Sequence, residues 1–181
     1  MSEKLADQTP VVPHLAAEFL AWLWWTIDLQ ESKFELDEVG RVEVWVDQRL
    51  SFRRPEDTKV SVVLTGENPA SGLEAKAALE DHKVVHELRL GIRRDEREYT
   101  VSLRGPGLDI TGAKLPQVTA ENMEAEVYDR MFLYEELDHI LRALYGSFAA
   151  LRTSKDWDQV VVPALRDWQG PSGGDMEPAF E

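Results

Sequence analysis

Four histidines are the only soft metal ligands in this chain, because it contains no cysteine. His82 and His86 stand four residues apart, but Lys83-Val84-Val85 between them begins a predicted strand, so we do not expect the two histidines to share a helical face. Glu136 and His139 match the Glu-x-x-His spacing of di-iron bundles, which also need a second copy and two further glutamates. Only one copy is present. We therefore predict no metal site and interpret this stretch as a solvated acidic helix face, with Glu135 and His139 as an i,i+4 pair.

The sequence offers no motif for covalent or phosphoryl chemistry in a suitable context. The string GPSGG at 170–174 matches G-x-S-x-G only in its letters, because it falls in the predicted disordered tail and not between a strand and a helix. The chain contains no P-loop or H-E-x-x-H motif, and Gly105-Pro106-Gly107 is too short to cradle a phosphate. Carboxylate pairs are abundant in so acidic a chain, and spacing alone singles out none as a catalytic dyad. We predict no catalytic residue and no cofactor, and an unrecognised enzyme is the least supported alternative.

Basic side chains gather at the tips of two predicted hairpins. Those of the first hairpin are Arg49, Arg53, Arg54 and Lys59, and those of the second are Arg89, Arg93, Arg94 and Arg97. Lysine and arginine on turns and edge strands are also an ordinary protection against aggregation. Clustering of these arginines on one concave face would favour DNA binding, whereas ion pairs with Glu43, Glu87 and Glu98 would favour a protein-interaction module.

The hairpins belong to a chain whose hydrophobic period changes twice. Apolar residues recur at helical spacing over 14–28, alternate from Gly40 through two hairpins, and return to helical spacing over 120–152. This pattern predicts an α+β domain with an antiparallel sheet of two β-hairpins. An N-terminal helix, a short middle helix and a long C-terminal helix are expected on one face of that sheet.

Smaller signals predict the remaining elements. Ser71 is a candidate cap for the middle helix, over 70–82, and a short strand is expected at 108–111. Gly146 is a candidate bend in the long helix, and Pro163 should cut the final amphipathic piece. We expect a flexible leader at 1–12, a single domain over 13–168 and a disordered tail at 169–181.

Charge is distributed unevenly along the 181 residues. Twenty lysines and arginines oppose 34 aspartates and glutamates, for a net charge of −14. Residues 1–37 and 105–181 carry −5 and −8, whereas residues 38–104 carry only −1. Such a field repels a phosphate backbone at long range, so any DNA binding should be weak.

The first predicted helix is unusually rich in tryptophan. Trp22, Trp24 and Trp25 occupy more of its circumference than one amphipathic stripe can bury, so we predict that the chain self-associates, most simply as a homodimer. The longest apolar run, around residues 19–25, is far shorter than a membrane span, and no signal peptide precedes it. We expect a cytoplasmic protein without a membrane partner.

The order of elements and several strings resemble the C-terminal half of the RdgC family of recombination-associated DNA-binding proteins, over residues 15–152. FLAWLWW is similar to the Leu-x-x-Trp helix of that family, and FELDEVGRVEV leads to a basic doublet at a finger hairpin, here Arg53-Arg54. The best stretch is AALEDHKVVHELRLGIRRDEREYTVSLRGPGLDITGAKLP, and YDRMFLYEELDHILRALYGSF resembles the closing helix of the family.

The resemblance implies a sequence-independent binder of duplex DNA that forms a two-fold ring and restrains RecA-dependent recombination. It places Arg53 and Arg54 on the finger and Lys83 on the lysine that opens the next strand, each in contact with phosphate. Recombination proteins would then be partners, and the protein would be nucleoid-associated. The alternative is an acidic protein-interaction module of the same fold that does not bind DNA and acts through the first or the closing helix.

Overall fold

The computed structural model describes residues 14–57 and 59–169. Within them lie helices α1 (His14–Leu29), α2 (Leu73–Glu80), α3 (Met123–Arg152) and α4 (Val162–Gln169). The strands are β1 (Lys33–Leu36), β2 (Gly40–Arg53), β3 (Ser61–Thr65), β4 (Val84–Arg94), β5 (Arg97–Arg104) and β6 (Asp109–Lys114). The predicted leader and tail lie outside the described residues, except for Gln169, which ends α4.

The strands form one antiparallel sheet in the order β1-β2-β4-β5-β6, and β3 pairs with β2 on the edge that β1 also uses. This topology confirms the predicted α+β class. Both predicted hairpins are present, as β2–β3 and β4–β5. β1 is an additional strand that was not predicted.

The side-chain alternation along β2 divides the sheet into two faces. Val42, Val44 and Val46 are no more than 6% exposed and face the helices. Glu43, Trp45 and Asp47 alternate with them and are only half-buried. We call the face that carries these three side chains the outer face.

The start of the middle helix differs from the prediction. Residues Pro69–Ser71 form a 3-10 turn, in which the Ser71 hydroxyl donates a hydrogen bond to the Asn68 carbonyl oxygen at 3.0 Å. Ser71 therefore does not cap α2. Gly72 occupies the N-cap position instead, with no side-chain hydrogen bond, and the helix begins at Leu73.

Helical structure continues through both positions at which a bend or a cut is predicted, Gly146 and Pro163. α3 continues through Gly146 without a break. Pro163 does not cut the final amphipathic piece: Trp157–Val161 form a π-helical turn that runs directly into α4, and Pro163 is the second residue of α4.

The core encloses most of the tryptophan cluster of α1. Trp22 packs against Phe148 of α3 with ring centroids 5.6 Å apart, whereas Trp24 lies 6.0 Å from Phe52 of the sheet and 4.7 Å from Trp168 of α4. Trp22 and Trp24 are 5% and 0% exposed, and Trp25 is half-buried against the core. Because helices and sheet cover α1 on several sides within one chain, the tryptophans no longer require a second copy. Self-association stays a prediction without that support.

In the described part of the chain, no helix combines the length and the hydropathy needed to cross a membrane.

Candidate interaction surfaces

The three side chains predicted to contact DNA meet at one end of the sheet. Arg53, the last residue of β2, is paired in register with Val84, the first residue of β4. Arg54 follows the first strand and Lys83 precedes the second, so the antiparallel register brings all three cations together. We call this the basic end of the sheet.

Two of these cations share one carboxylate. Arg54 Nη2 donates to Asp81 Oδ1 and Oδ2 at 3.0 and 2.9 Å, and Lys83 Nζ also contacts Oδ2. The hydrogen bond from Lys83, together with the charges of Arg54 and Lys83, holds the pKa of the Asp81 carboxyl below its ordinary value. A phosphate would therefore have to compete with Asp81 for both cations.

Arg53 is in a different position. Among the described residues it has no ion-pair or hydrogen-bond partner for its side chain, and the same holds for Arg104 at the end of β5. His86 lies close to both: burial, and then the charges of Arg53 and Arg104, lower the pKa of its imidazole. Two unpaired arginines thus lie near one imidazole, whose neutral form they favour, at the basic end.

The remaining arginines of the two hairpins are paired with acidic side chains. Arg49 lies 3.3 Å from Glu87 and Arg89 lies 3.1 Å from Asp47. Arg93 contacts Glu43 at 3.0 Å and Glu98 at 3.4 Å, and its guanidinium stands 5.5 Å from the ring centre of Trp45. This is the dispersal among carboxylates that favours protein interaction over DNA binding.

The opposite end of β4 carries a buried carboxylate. Glu136 of α3 is 7% exposed and accepts hydrogen bonds from Arg94 at 3.0 Å and from Arg97 at 2.8 Å on Oε1, while the Tyr99 hydroxyl donates to Oε2. Burial, followed by the hydrogen bond and the charge of Glu136, raises the pKa of the Tyr99 phenol. This cluster joins α3 to the β4–β5 hairpin.

The prediction of a solvated acidic face on α3 is therefore wrong at Glu136. The signal that places it inside is its spacing: it stands three residues after Leu133 and four before Ile140, both of which are buried. The predicted pair of Glu135 with His139 is also absent, since His139 Nε2 approaches Glu38 instead, at 3.8 Å.

The first three turns of α3 extend beyond the core. Asn122 caps the helix by accepting the Ala125 N–H at 2.9 Å, and the first buried side chain is Leu133. Residues 123–134 include six large apolar side chains that are 51–81% exposed: Met123, Val127, Tyr128, Met131, Phe132 and Tyr134. We call residues 123–134 the exposed segment of α3.

Acidic residues surround the exposed segment. Residues 121–135 contain five carboxylates and one basic residue, Arg130, which lies 3.0 Å from Glu126. The segment is therefore both apolar and strongly negative. The helical spacing of apolar residues predicts this helix, but it does not indicate that the first turns lie outside the core.

No group of three or more His, Asp or Glu side chains in residues 14–57 and 59–169 is arranged to hold a metal ion. Comparisons of the chain with protein-family models, with curated proteins and with solved structures find no match. The resemblance to RdgC stays a prediction from the sequence.

Proposed function

We propose that this protein is an acidic interaction module whose exposed segment of α3 binds a basic, amphipathic segment of a partner protein. One observation carries the proposal. Of the 12 large apolar side chains exposed in the described part of the chain, six lie within this one stretch of 12 residues. Scattered exposed apolar residues are normal, whereas a contiguous patch with a polar rim is typical of a binding surface.

The negative charge of the exposed segment indicates what kind of partner it can bind. Five carboxylates flank the apolar side chains, and the single arginine among them is already paired. A second copy docking through the same surface would bring like charges together, which is unfavourable. A partner with lysine or arginine beside its apolar side chains would complement both properties.

Paired synthetic helices test this proposal. One peptide carries leucine and lysine at helical spacing, the other leucine and glutamate, and each is titrated calorimetrically at physiological ionic strength. Only the lysine peptide should bind. The variant Val127→Ser, Met131→Ser should weaken binding about tenfold, because it removes two apolar side chains from the surface without a change of charge.

The matched control is Leu73→Ser, Val160→Ser, whose side chains are 82% and 58% exposed away from the segment. Equal affinities of the two variants would refute the proposal, because the peptide would then be held by the net charge of the molecule alone. Sedimentation of the protein without peptide tests the competing occupant, a second copy. A dimer dissociated by the α3 variant but not by the control would also refute it.

Binding of duplex DNA is the second candidate function, favoured by the convergence of Arg53, Arg54 and Lys83 at the basic end. Mobility shifts at two salt concentrations should then show weak, sequence-independent binding. Arg53→Ala, Arg54→Ala should lower the magnitude of the salt slope by about 2, because each arginine that neutralises a phosphate contributes about 1 to that slope. Arg41→Ala is the control, since its side chain is 83% exposed on another part of β2. No binding even at low salt would exclude this function.

A further inference from the structure

A small cavity opens beside Arg53 at the basic end of the sheet. Its volume is about 290 Å³, near the lower limit of ligand sites in proteins. Much of its wall is apolar and comes from α1 and the start of β4, at Ala16, Ala17, Val84 and Val85. Pro55 and the Gly105-Pro106 turn complete the apolar part, and the charged or titratable lining groups are Arg53, Arg54 and His86.

The arginines around this cavity differ in whether a carboxylate neutralises them. Arg54 is held by two hydrogen bonds to Asp81, so its charge is largely compensated. Arg53 is half-buried and has no carboxylate partner among the described residues. Arg104 is likewise unpaired there and lies near His86, next to Gly105 in the cavity wall.

Among the described residues, Glu87 is the acidic side chain whose charge acts on His86. Its carboxylate is 3.3 Å from Arg49 and therefore already has a cationic partner. An anion placed between Arg53 and His86 would be attracted by the charges of Arg53 and Arg104. The cavity therefore carries an excess of positive charge, which an anionic ligand would balance.

We propose that this cavity binds a small organic anion, a phosphate or carboxylate group carried on a compact apolar body. Arg53 would hold the anionic group by charge-assisted hydrogen bonds, and the alanine and valine walls would contact the apolar body. At about 30 Å³ for each water-sized group, the volume admits roughly ten non-hydrogen atoms. This proposal is independent of the α3 surface, which lies at the other end of β4.

Phenyl phosphate is the probe, because it combines an anionic group with an apolar ring of the required size. The His86 imidazole is followed by NMR near pH 7 and assigned by its disappearance in His86→Gln. Phenyl phosphate should shift it saturably, with a dissociation constant of about 1 mM or lower. Inorganic phosphate should bind about tenfold more weakly, and benzyl alcohol, which lacks the charge, should cause no shift.

Two variants locate the site. Arg53→Gln should weaken phenyl phosphate about tenfold, the usual effect of removing one charge-assisted hydrogen bond. Ala17→Phe should block binding without changing any charge, because Ala17 lines the cavity. Arg41→Gln, remote from the cavity, should leave the affinity unchanged.

The proposal is overturned if phenyl phosphate at about 10 mM gives no saturable shift of His86, since that is far above the expected constant. Binding by Arg53→Gln or Ala17→Phe equal to that of the unmodified protein would also overturn it. Equal affinities for inorganic and phenyl phosphate would contradict the proposed contact between the apolar wall and the ligand. If duplex DNA shifts the His86 signal and phenyl phosphate does not, the cations at the basic end bind a nucleic-acid backbone and not a ligand in the cavity.

Discussion

Replacing Glu136 by glutamine should destabilise the fold more than any other change of one carboxylate to its amide on α3. Glu136 is 7% exposed and is the shared acceptor of Arg94, Arg97 and Tyr99. Removing one partner of a buried ion pair typically costs about 3–5 kcal/mol. Arg94 and Arg97 keep 29% and 38% of their side chains exposed, so water solvates part of the uncovered charge. We therefore expect the lower limit, about 3 kcal/mol.

Urea unfolding followed by tryptophan fluorescence measures this loss. With a slope of about 2 kcal/mol per molar urea, Glu136→Gln should lower the unfolding midpoint by about 1.5 M. The matched control is Glu135→Gln, an exposed neighbour whose substitution should change stability by no more than about 0.5 kcal/mol. Equal midpoints for the two variants would refute the role assigned to Glu136.

A second measurement separates the electrostatic role of Glu136 from simple packing. Its charge and its hydrogen bond both raise the pKa of Tyr99 in the native protein. In Glu136→Gln the phenol should therefore ionise at a lower pH than before, and a difference absorbance titration detects this. A Tyr99 titration unchanged by Glu136→Gln would contradict the hydrogen bond even if the variant were unstable.

Three further outcomes are expected. Gly91→Ala should lower the free energy of unfolding in urea by about 1–3 kcal/mol, because the added Cβ would lie 2.1 Å from the Trp45 ring. In a chain that already carries Trp45→Ala, Gly91→Ala should cost much less. Asn122→Ala should cost about 1 kcal/mol through loss of the α3 cap, whereas an unchanged midpoint would show that the cap contributes nothing. Since the native pKa of His86 is lowered, the unfolded chain binds the proton more readily, so stability should fall as pH drops below about 6.5 and fall less in His86→Gln. Parallel pH profiles of the two proteins would contradict this assignment.

Hydrophobic period was sufficient to predict the class of the fold. Val42, Val44 and Val46 are all buried on one face of β2, as strict alternation requires. β1 was missed because its four residues, Lys33–Leu36, are too short to establish a period. They form a strand only because β2 offers an edge with which they pair.

Long-range contacts explain the other differences. The tryptophans of α1 are too many for one amphipathic stripe, but Trp168, 144 residues after Trp24, lies against it from α4. The partner of Arg54 is Asp81, which is 27 residues away and comes close only after β2 and β4 pair. Periodicity within one element cannot reveal either contact, whereas the position of Glu136 on the buried stripe of α3 could have been recognised.

The net charge of −14 is a poor guide to what either surface binds. Along β4, the basic end at Val84 and the Glu136 cluster at Arg94 are ten residues apart. At about 3.3 Å per residue, the two surfaces are more than 30 Å apart, several times the screening length of about 8 Å at physiological ionic strength. Each surface therefore acts on a ligand mainly through its own charges. An anion at Arg53 and a basic helix at the exposed segment of α3 are compatible on one chain, because neither ligand experiences much of the field that attracts the other.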